Sequence, residues 1–266
     1  MHTPRLPRAA RIALPVCGLL AMLAQSAFAQ QLEVPRLDQG FEVTAVPNAT
    51  GQERQRQPDL YMLEVDFKPI RLRRVDITNP KTGRTESQAV YYLVYRLRNP
   101  LLAEGQSDDE LRPQNSLDQP YTNPRFIPEA TLLAFRGAEE TDAPDQALLD
   151  AVLPEAVATI SRTERRRNTP EIRDAIEIIQ PLPEPAEDFD PIYGIATWTG
   201  VDEQTDYATV VLRGFTNAYE RRQTDSGEEL YRKALVLKFR RRGDEFDPDQ
   251  REFEFDGEPE WRYLPE

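Results

Sequence analysis

The sequence predicts a mainly β protein: an antiparallel β-sandwich, Ig-like in the loose sense, with a short helical insertion. Three observations predict it. Apolar and polar residues alternate with a period of two in several short runs, turn-forming residues separate those runs, and helical spacing is confined to residues 143–179. A period of two sends successive side chains to opposite faces of a strand, and short strands punctuated by turns pack most economically as two antiparallel sheets. No internal repeat of fixed period is present, so one domain from residue 58 to residue 266 is expected.

The chain opens MHTPRLPRAARIALPVCGLLAMLAQSAFA. Arg5, Arg8 and Arg11 form a basic front, Ile12 to Leu23 form a short apolar run, and Ala27-Phe28-Ala29 is a signal-peptidase site, so residues 1–29 are expected to be a signal peptide cut before Gln30. Val16 before Cys17 is too large for a lipoprotein site. Residues 30–57 are polar and aperiodic and read as a flexible N-terminal arm.

In Leu60–Lys68, Tyr61, Leu63, Val65 and Phe67 alternate with Met62, Glu64, Asp66 and Lys68, the pattern of a half-buried strand. Val75 and Ile77 extend into the turn Asn79-Pro-Lys-Thr-Gly83, and VYYLVYRLR (Val90–Arg98) returns from it. Tyr92 and Val94 make the second face of that run partly apolar, which predicts a central strand. Residues 100–125 are a polar, Pro-rich excursion, and Ala130–Phe135 is a further strand. Between 143 and 179, Leu148, Leu149, Val152, Leu153, Ala156, Val157 and Ile160 recur at three and four. That spacing predicts two short helices or a kinked one, with Pro154 opening the second. After the acidic Pro linker Gln180–Pro191 come strands Tyr193–Thr199 and Tyr207–Arg213, expected to form a hairpin around Gly200–Asp206. Ala234–Arg240, Arg251–Asp256 and Trp261–Leu264 complete the set.

Composition excludes more chemistry than it suggests. The only Cys (Cys17) and the only His (His2) leave with the signal peptide, so the exported chain has no disulfide, no imidazole base and no thiol nucleophile. Zinc and copper sites lose their usual ligands. No phosphate loop and no dinucleotide-binding glycine motif occurs. The formal charge is −13 for the whole chain, and loss of Arg5, Arg8 and Arg11 makes it −16, which counts against nucleic acid as a partner. No second long apolar run follows the signal, so no membrane span is expected in the remaining 237 residues.

Carboxylate chemistry survives these exclusions. A glycosidase needs two carboxyls roughly 5 to 10 Å apart, one with a raised pKa. Asp202, Glu203 and Asp206, close in sequence to Trp198 and Tyr207, are the best-placed group, although an exposed acidic loop explains them more simply. The stretch GDEFDPDQREFEFDGEPE (Gly243–Glu260) holds nine carboxylates. Those at Glu252, Glu254 and Asp256 alternate with Phe253 and Phe255 and read as the wet side of a strand. Asp244, Glu245, Asp247 and Asp249 read as an exposed turn beside Arg240–Arg242, without an obligatory calcium ion because the EF-hand glycine and spacing are missing.

The segments YYLVYRLRNP, PRFIPEATL, YGIATWTGVDEQTDYATVVLRGFTNAY and LVLKFRRRGDEFDPDQREFEF together resemble an uncharacterised family of exported bacterial proteins. The resemblance implies export and a shared architecture, and it attaches no activity, cofactor or catalytic residue. The expectation is therefore an exported, periplasmic or secreted module that binds a protein or polymer of the envelope without catalysis, with no cofactor, no catalytic residue and no metal ligand. The alternative is a carboxylate-based hydrolase acting on a glycan.

Overall fold

The computed structural model describes residues 40–79, 81–102, 124–137, 143–164, 171–186, 190–225, 227–241 and 253–266. All of them lie in one compact unit, Pro35–Glu266. The elements in chain order are β1 (Val43–Ala45), α1 (Gly51–Arg56), β2 (Glu64–Phe67), β3 (Arg71–Thr78), β4 (Thr85–Arg98), β5 (Arg125–Phe126), β6 (Glu129–Phe135), β7 (Gln146–Leu149) and α2 (Pro154–Glu164). They continue with β8 (Ile172–Arg173), β9 (Gln180–Pro181), β10 (Ile192–Thr199), β11 (Tyr207–Arg213), β12 (Tyr219–Thr224), β13 (Gly227–Arg241), β14 (Phe253–Phe255) and β15 (Glu260–Pro265).

Two sheets face each other, so the predicted mainly β sandwich is what the chain builds. The first sheet runs β1-β2-β4-β10-β8, with β3 also on β4. The second runs β12-β13-β11-β6-β7, with β14 and β15 on β13. Every pair in them is antiparallel except the short contact of β10 with β8. The inward alternation read from the sequence fills the space between the sheets. Leu63, Val65, Phe67, Tyr91, Leu93, Tyr95 and Trp198 come from one side, and Leu132, Val210, Leu212, Leu235, Leu237 and Phe239 from the other. Gly194 is required here: a Cβ at this position would fall 2.3 Å from Cζ of Tyr95, whose ring lies across β10.

β4 is the central strand its two apolar faces predicted. Its second face, with Val90, Tyr92 and Val94, packs with Tyr193 and Ile195 under Ala156, Val157 and Ile160 of α2. The helix is therefore a third layer on the outside of the first sheet. Pro154 opens it, because proline fits the first helical turn, where its missing N–H is not needed.

Four expectations are corrected. The polar segment 30–57 is not a flexible arm over its described residues, 40–57, and the first sheet takes its outermost strand, β1, from before residue 58. α1, outside the predicted helical region, is held by a capping box in which Thr50 accepts the Glu53 N–H and Glu53 accepts the Thr50 N–H. Among the described residues of 143–179 one helix forms, α2, and Gln146–Leu149 is a strand. Leu148 and Leu149 follow strand alternation there, one packed on the core and the other 68% exposed. Tyr193–Thr199 and Tyr207–Arg213 are not a hairpin: β10 pairs with β4 and β8 in the first sheet, whereas β11 pairs with β6 and β13 in the second. The alternation of apolar residues is the same for a hairpin and for a crossing between sheets, so the pattern alone could not separate them.

Candidate functional site

The carboxylates singled out in the sequence are not brought together as a catalytic pair. Asp202 is ion-paired with Arg136 at 2.5 Å and accepts the Gln204 N–H at 2.9 Å. The Gln204 hydrogen bond, followed by Arg136, holds its pKa below the usual carboxylate value. Glu203 gives its carbonyl to the Arg241 guanidinium, and Asp206 exchanges backbone bonds with Phe135 and Arg241. Trp198 is wholly buried in the core, so its face is closed to a sugar ring. Asp244, Glu245, Asp247 and Asp249 lie outside the described residues. On β14, Phe253 is buried and Glu254 half-buried. Among the described residues no group of three His, Cys, Asp or Glu side chains could hold a metal ion.

Sequence reading missed the buried charges. Lys68 and Glu164 form a buried ion pair at 2.9 Å, and Arg71 and the Tyr92 hydroxyl also reach the Glu164 carboxylate, at 3.1 and 3.0 Å. Burial works against the charge on Glu164, but these donors outweigh it and its pKa lies below the ordinary value. A second buried lysine, Lys233, meets Glu53 at 2.7 Å and Asn48 Oδ1 at 3.1 Å, while the Tyr263 hydroxyl also donates to Glu53 at 2.5 Å. Burial again opposes the charge, and Lys233, Tyr263 and the Thr50 N–H overcome it, so the Glu53 pKa is lowered. Both clamps join a helix to a sheet and leave no group over for chemistry.

Asp150 is the strongly perturbed carboxylate. Burial, with the charge of Asp174 added, pushes its pKa up to about 6. Its Oδ1 accepts the Thr197 N–H at 2.7 Å, its own N–H donates to Ala130, and Ala151 N–H donates to Thr197 O, so this segment laces the second sheet to the edge of β10. Asp174 is equally committed, accepting the N–H groups of Ile176 and Glu177 at 2.9 and 2.8 Å. Tyr95 sits in the field of both and is pushed above its ordinary value chiefly by its own burial. None of these three lines the two hollows described below.

Two of the hollows among the described residues bear on a binding site. One of about 460 Å³ lies along Glu171, Arg173, Gln180–Pro183 and Asp190–Tyr193. A larger one, about 780 Å³, opens at a corner of the second sheet. The topology explains this corner. β13 is flanked by β15 over residues 231–236, so β12 (opposite residues 227–232) and β11 (opposite 235–240) must lie end to end on its other side. β11 is covered in turn by β6 as far as the pair Arg213–Glu129. There Pro128, which has no N–H to donate, ends the ladder, and the chain turns off toward β5. Gly214, with φ of 84°, permits that turn: a Cβ on it would lie 2.0 Å from the Ile127 carbonyl oxygen. Beyond this point β12 has no neighbour on its outer edge among the described residues.

The resulting notch is lined by Ile127 (57% exposed), Tyr219 (47% exposed) and five cations, Arg125, Arg213, Arg221, Arg232 and Lys233, against two carboxylates, Glu129 and Glu266. Lys233 is buried and paired with Glu53, and Arg221 and Arg232 pair with Glu228 and Glu266, so the rim cations without a carboxylate partner among the described residues are Arg125 and Arg213. The inner wall of the notch is cross-linked by hydrogen bonds: Asn217 accepts the Tyr61 N–H and donates to Asp59 O, each at 2.8 Å, and the Tyr61 hydroxyl donates to Gly214 O at 3.0 Å. Burial pushes that phenol up to about 12. The sequence signal for the notch was the turn Asp225-Ser-Gly227 after the charged run YERRQT, which marks a hairpin with an exposed strand. Comparison with known protein families, with curated proteins and with solved structures gives no match.

Proposed function

We propose that this chain is an exported, non-catalytic module of a bacterial envelope that binds a protein partner at the notch beside β12. The notch carries the reading: it combines a hydrogen-bonded wall, exposed Ile127 and Tyr219, and the rim arginines Arg125 and Arg213 at a corner where a sheet is incomplete. Apolar anchors inside a charged margin are how protein surfaces seat a partner. The signal-like residues 1–29 support export. The buried carboxylates support the non-catalytic part, since each is already engaged by a cation or by backbone N–H groups.

The test is a photo-crosslinking amino acid placed at Ile127, at Tyr219 and, on the exposed part of the other sheet, at Arg74. A single adduct from the first two positions, absent from the third and from cells carrying Arg125→Glu with Arg213→Glu, is the expected result. Equal labelling from all three positions would sink the reading. Export is read separately, by N-terminal sequencing of the accumulated protein, which should begin at Gln30. The competing glycan hydrolase has only the raised pKa of Asp150 in its favour, and it requires a glycan-cleaving activity that Asp150→Asn abolishes.

A further inference from the structure

We propose that the notch receives an extended acidic segment of a partner protein, which adds to the second sheet as a strand against β12. This rests on reading the notch as a binding surface and specifies its occupant. β12 and β11 form one interrupted line, and β6 covers only the β11 half of it. β6 stops at Glu129 opposite Arg213, Met62 bridges Thr216 just beyond, and past that point Tyr219–Thr224 of β12 pair only with β13 among the described residues, so the open edge beside the notch is that of β12.

The backbone is set for that strand. Glu266 N–H donates to Leu230 O on the β15 side of β13, so Leu230, and Arg232 two residues on, turn their backbone groups away from β12. Their cross-strand partners Arg221 and Tyr219 are then the pairs that do not exchange hydrogen bonds, and they direct their N–H and C=O groups off the free edge. Gln223 does the same by alternation. Lys233 N–H donating to Ala218 O fixes the same phase from the other parity. Three donors and three acceptors are thus presented at the spacing of an antiparallel or parallel neighbour, the arrangement that strand addition uses.

Charge selects the occupant. Arg125 has no side-chain partner among the described residues, and Arg213 gives one N–H only to the Pro265 carbonyl, at 3.2 Å. Arg221 and Arg232 are held by exposed pairs with Glu228 and Glu266, which an incoming carboxylate can replace. A second copy of this chain docking β12 on β12 would set Arg221 and Arg222 against their own kind, whereas alternating carboxylates would meet these cations from one face of an added strand. Ile127 and Tyr219 offer the apolar seat between them.

The test pans random decapeptides against the full chain purified after export, then measures the enriched peptides by fluorescence polarisation. The expected peptides are acidic and lose affinity as salt rises from about 0.05 to 0.5 M. Gln223→Pro removes an edge N–H while leaving the β12–β13 bonds intact, and should weaken binding roughly tenfold, while Gln223→Ala stays within about twofold. N-methylation of alternate peptide residues repeats the test without touching the protein. If Gln223→Pro and Gln223→Ala bind alike and N-methylation is harmless, yet Ile127→Asp abolishes binding, the notch stands and strand addition falls. If Ile127→Asp and Tyr219→Ala change nothing, or no peptide is enriched, the notch reading itself fails. Basic or neutral peptides, or a dimer of this chain that Gln223→Pro dissolves, would overturn the acidic partner.

Discussion

Two buried lysines hold two helices to this sandwich, and they do so under different conditions. Lys68 grips Glu164 at the end of α2, a helix that also buries Ala156, Val157 and Ile160. Lys233 grips Glu53 in α1, a six-residue helix with no buried residue at all. In the first case the ion pair lies within an apolar contact. In the second the polar bonds are almost the entire attachment. The difference teaches that a polar segment can be fixed in place without a hydrophobic face, provided its few hydrogen bonds end on buried partners.

The comparison is broken most severely by Glu164→Ala. Lys68 then loses its carboxylate counter-charge in a dry site, and stability measured by urea unfolding should fall by about 3–5 kcal/mol. The double change Lys68→Met with Glu164→Leu should recover most of that loss, because an apolar pair of similar volume needs no compensation.

Asp150 sharpens the contrast, being a half-buried carboxylate with no cation partner among the described residues. Its folded pKa is raised, so the stability it contributes is present below its unfolded value near 4 and is lost as pH rises through about 6. The difference is worth on the order of 3 kcal/mol. Asp150→Asn keeps an acceptor for the Thr197 N–H and removes the charge facing Asp174. It should stabilise the protein by about 1–3 kcal/mol at pH 7 and by nothing near pH 4, as read from thermal midpoints across that range.

Glu53→Ala should cost about 2 kcal/mol, less than Glu164→Ala because Asn48 still receives Lys233. Its mark is local: hydrogen exchange should accelerate over Gly51–Arg56 first. Glu53 and Glu164 both have lowered folded pKa values, so both clamps act fully above the unfolded value of roughly 4.3 and fade as pH falls further. The smallest effect belongs to Asp202→Asn, whose partner Arg136 is exposed. No measurable shift in the unfolding midpoint is expected, and the same thermal scan reports it.

What could be read in the sequence follows from these two regions. β2, β4, β6, β11 and the later part of β13 were legible because one or both faces are apolar and the period is two. Pro154 marked the start of α2 for a local steric reason. α1 was overlooked although Thr50-Gly-Gln-Glu53 carries the capping signature, because composition was weighed above the cap. β12 has no apolar alternation to find, since the side chains on both of its faces are exposed or half-exposed. The notch itself is set by where β6 stops relative to β12, positions some ninety residues apart, and no local pattern encodes that.

The crossing of Gly200–Asp206 from one sheet to the other has a kinetic consequence. Because β10 and β11 do not pair with each other, β10 must find β4, about a hundred residues earlier, and β11 must find β6, more than seventy residues earlier. Closing loops of that size costs conformational entropy before any contact repays it, and proteins dominated by such pairings fold in milliseconds to seconds rather than microseconds. Among the described strands, β3–β4, β6–β7, β12–β13 and β13–β14 pair consecutive elements and are the local exceptions. The edge proposed to receive a partner strand is therefore carried on a unit that can form before the sandwich closes, and during that interval it is open to any strand within reach.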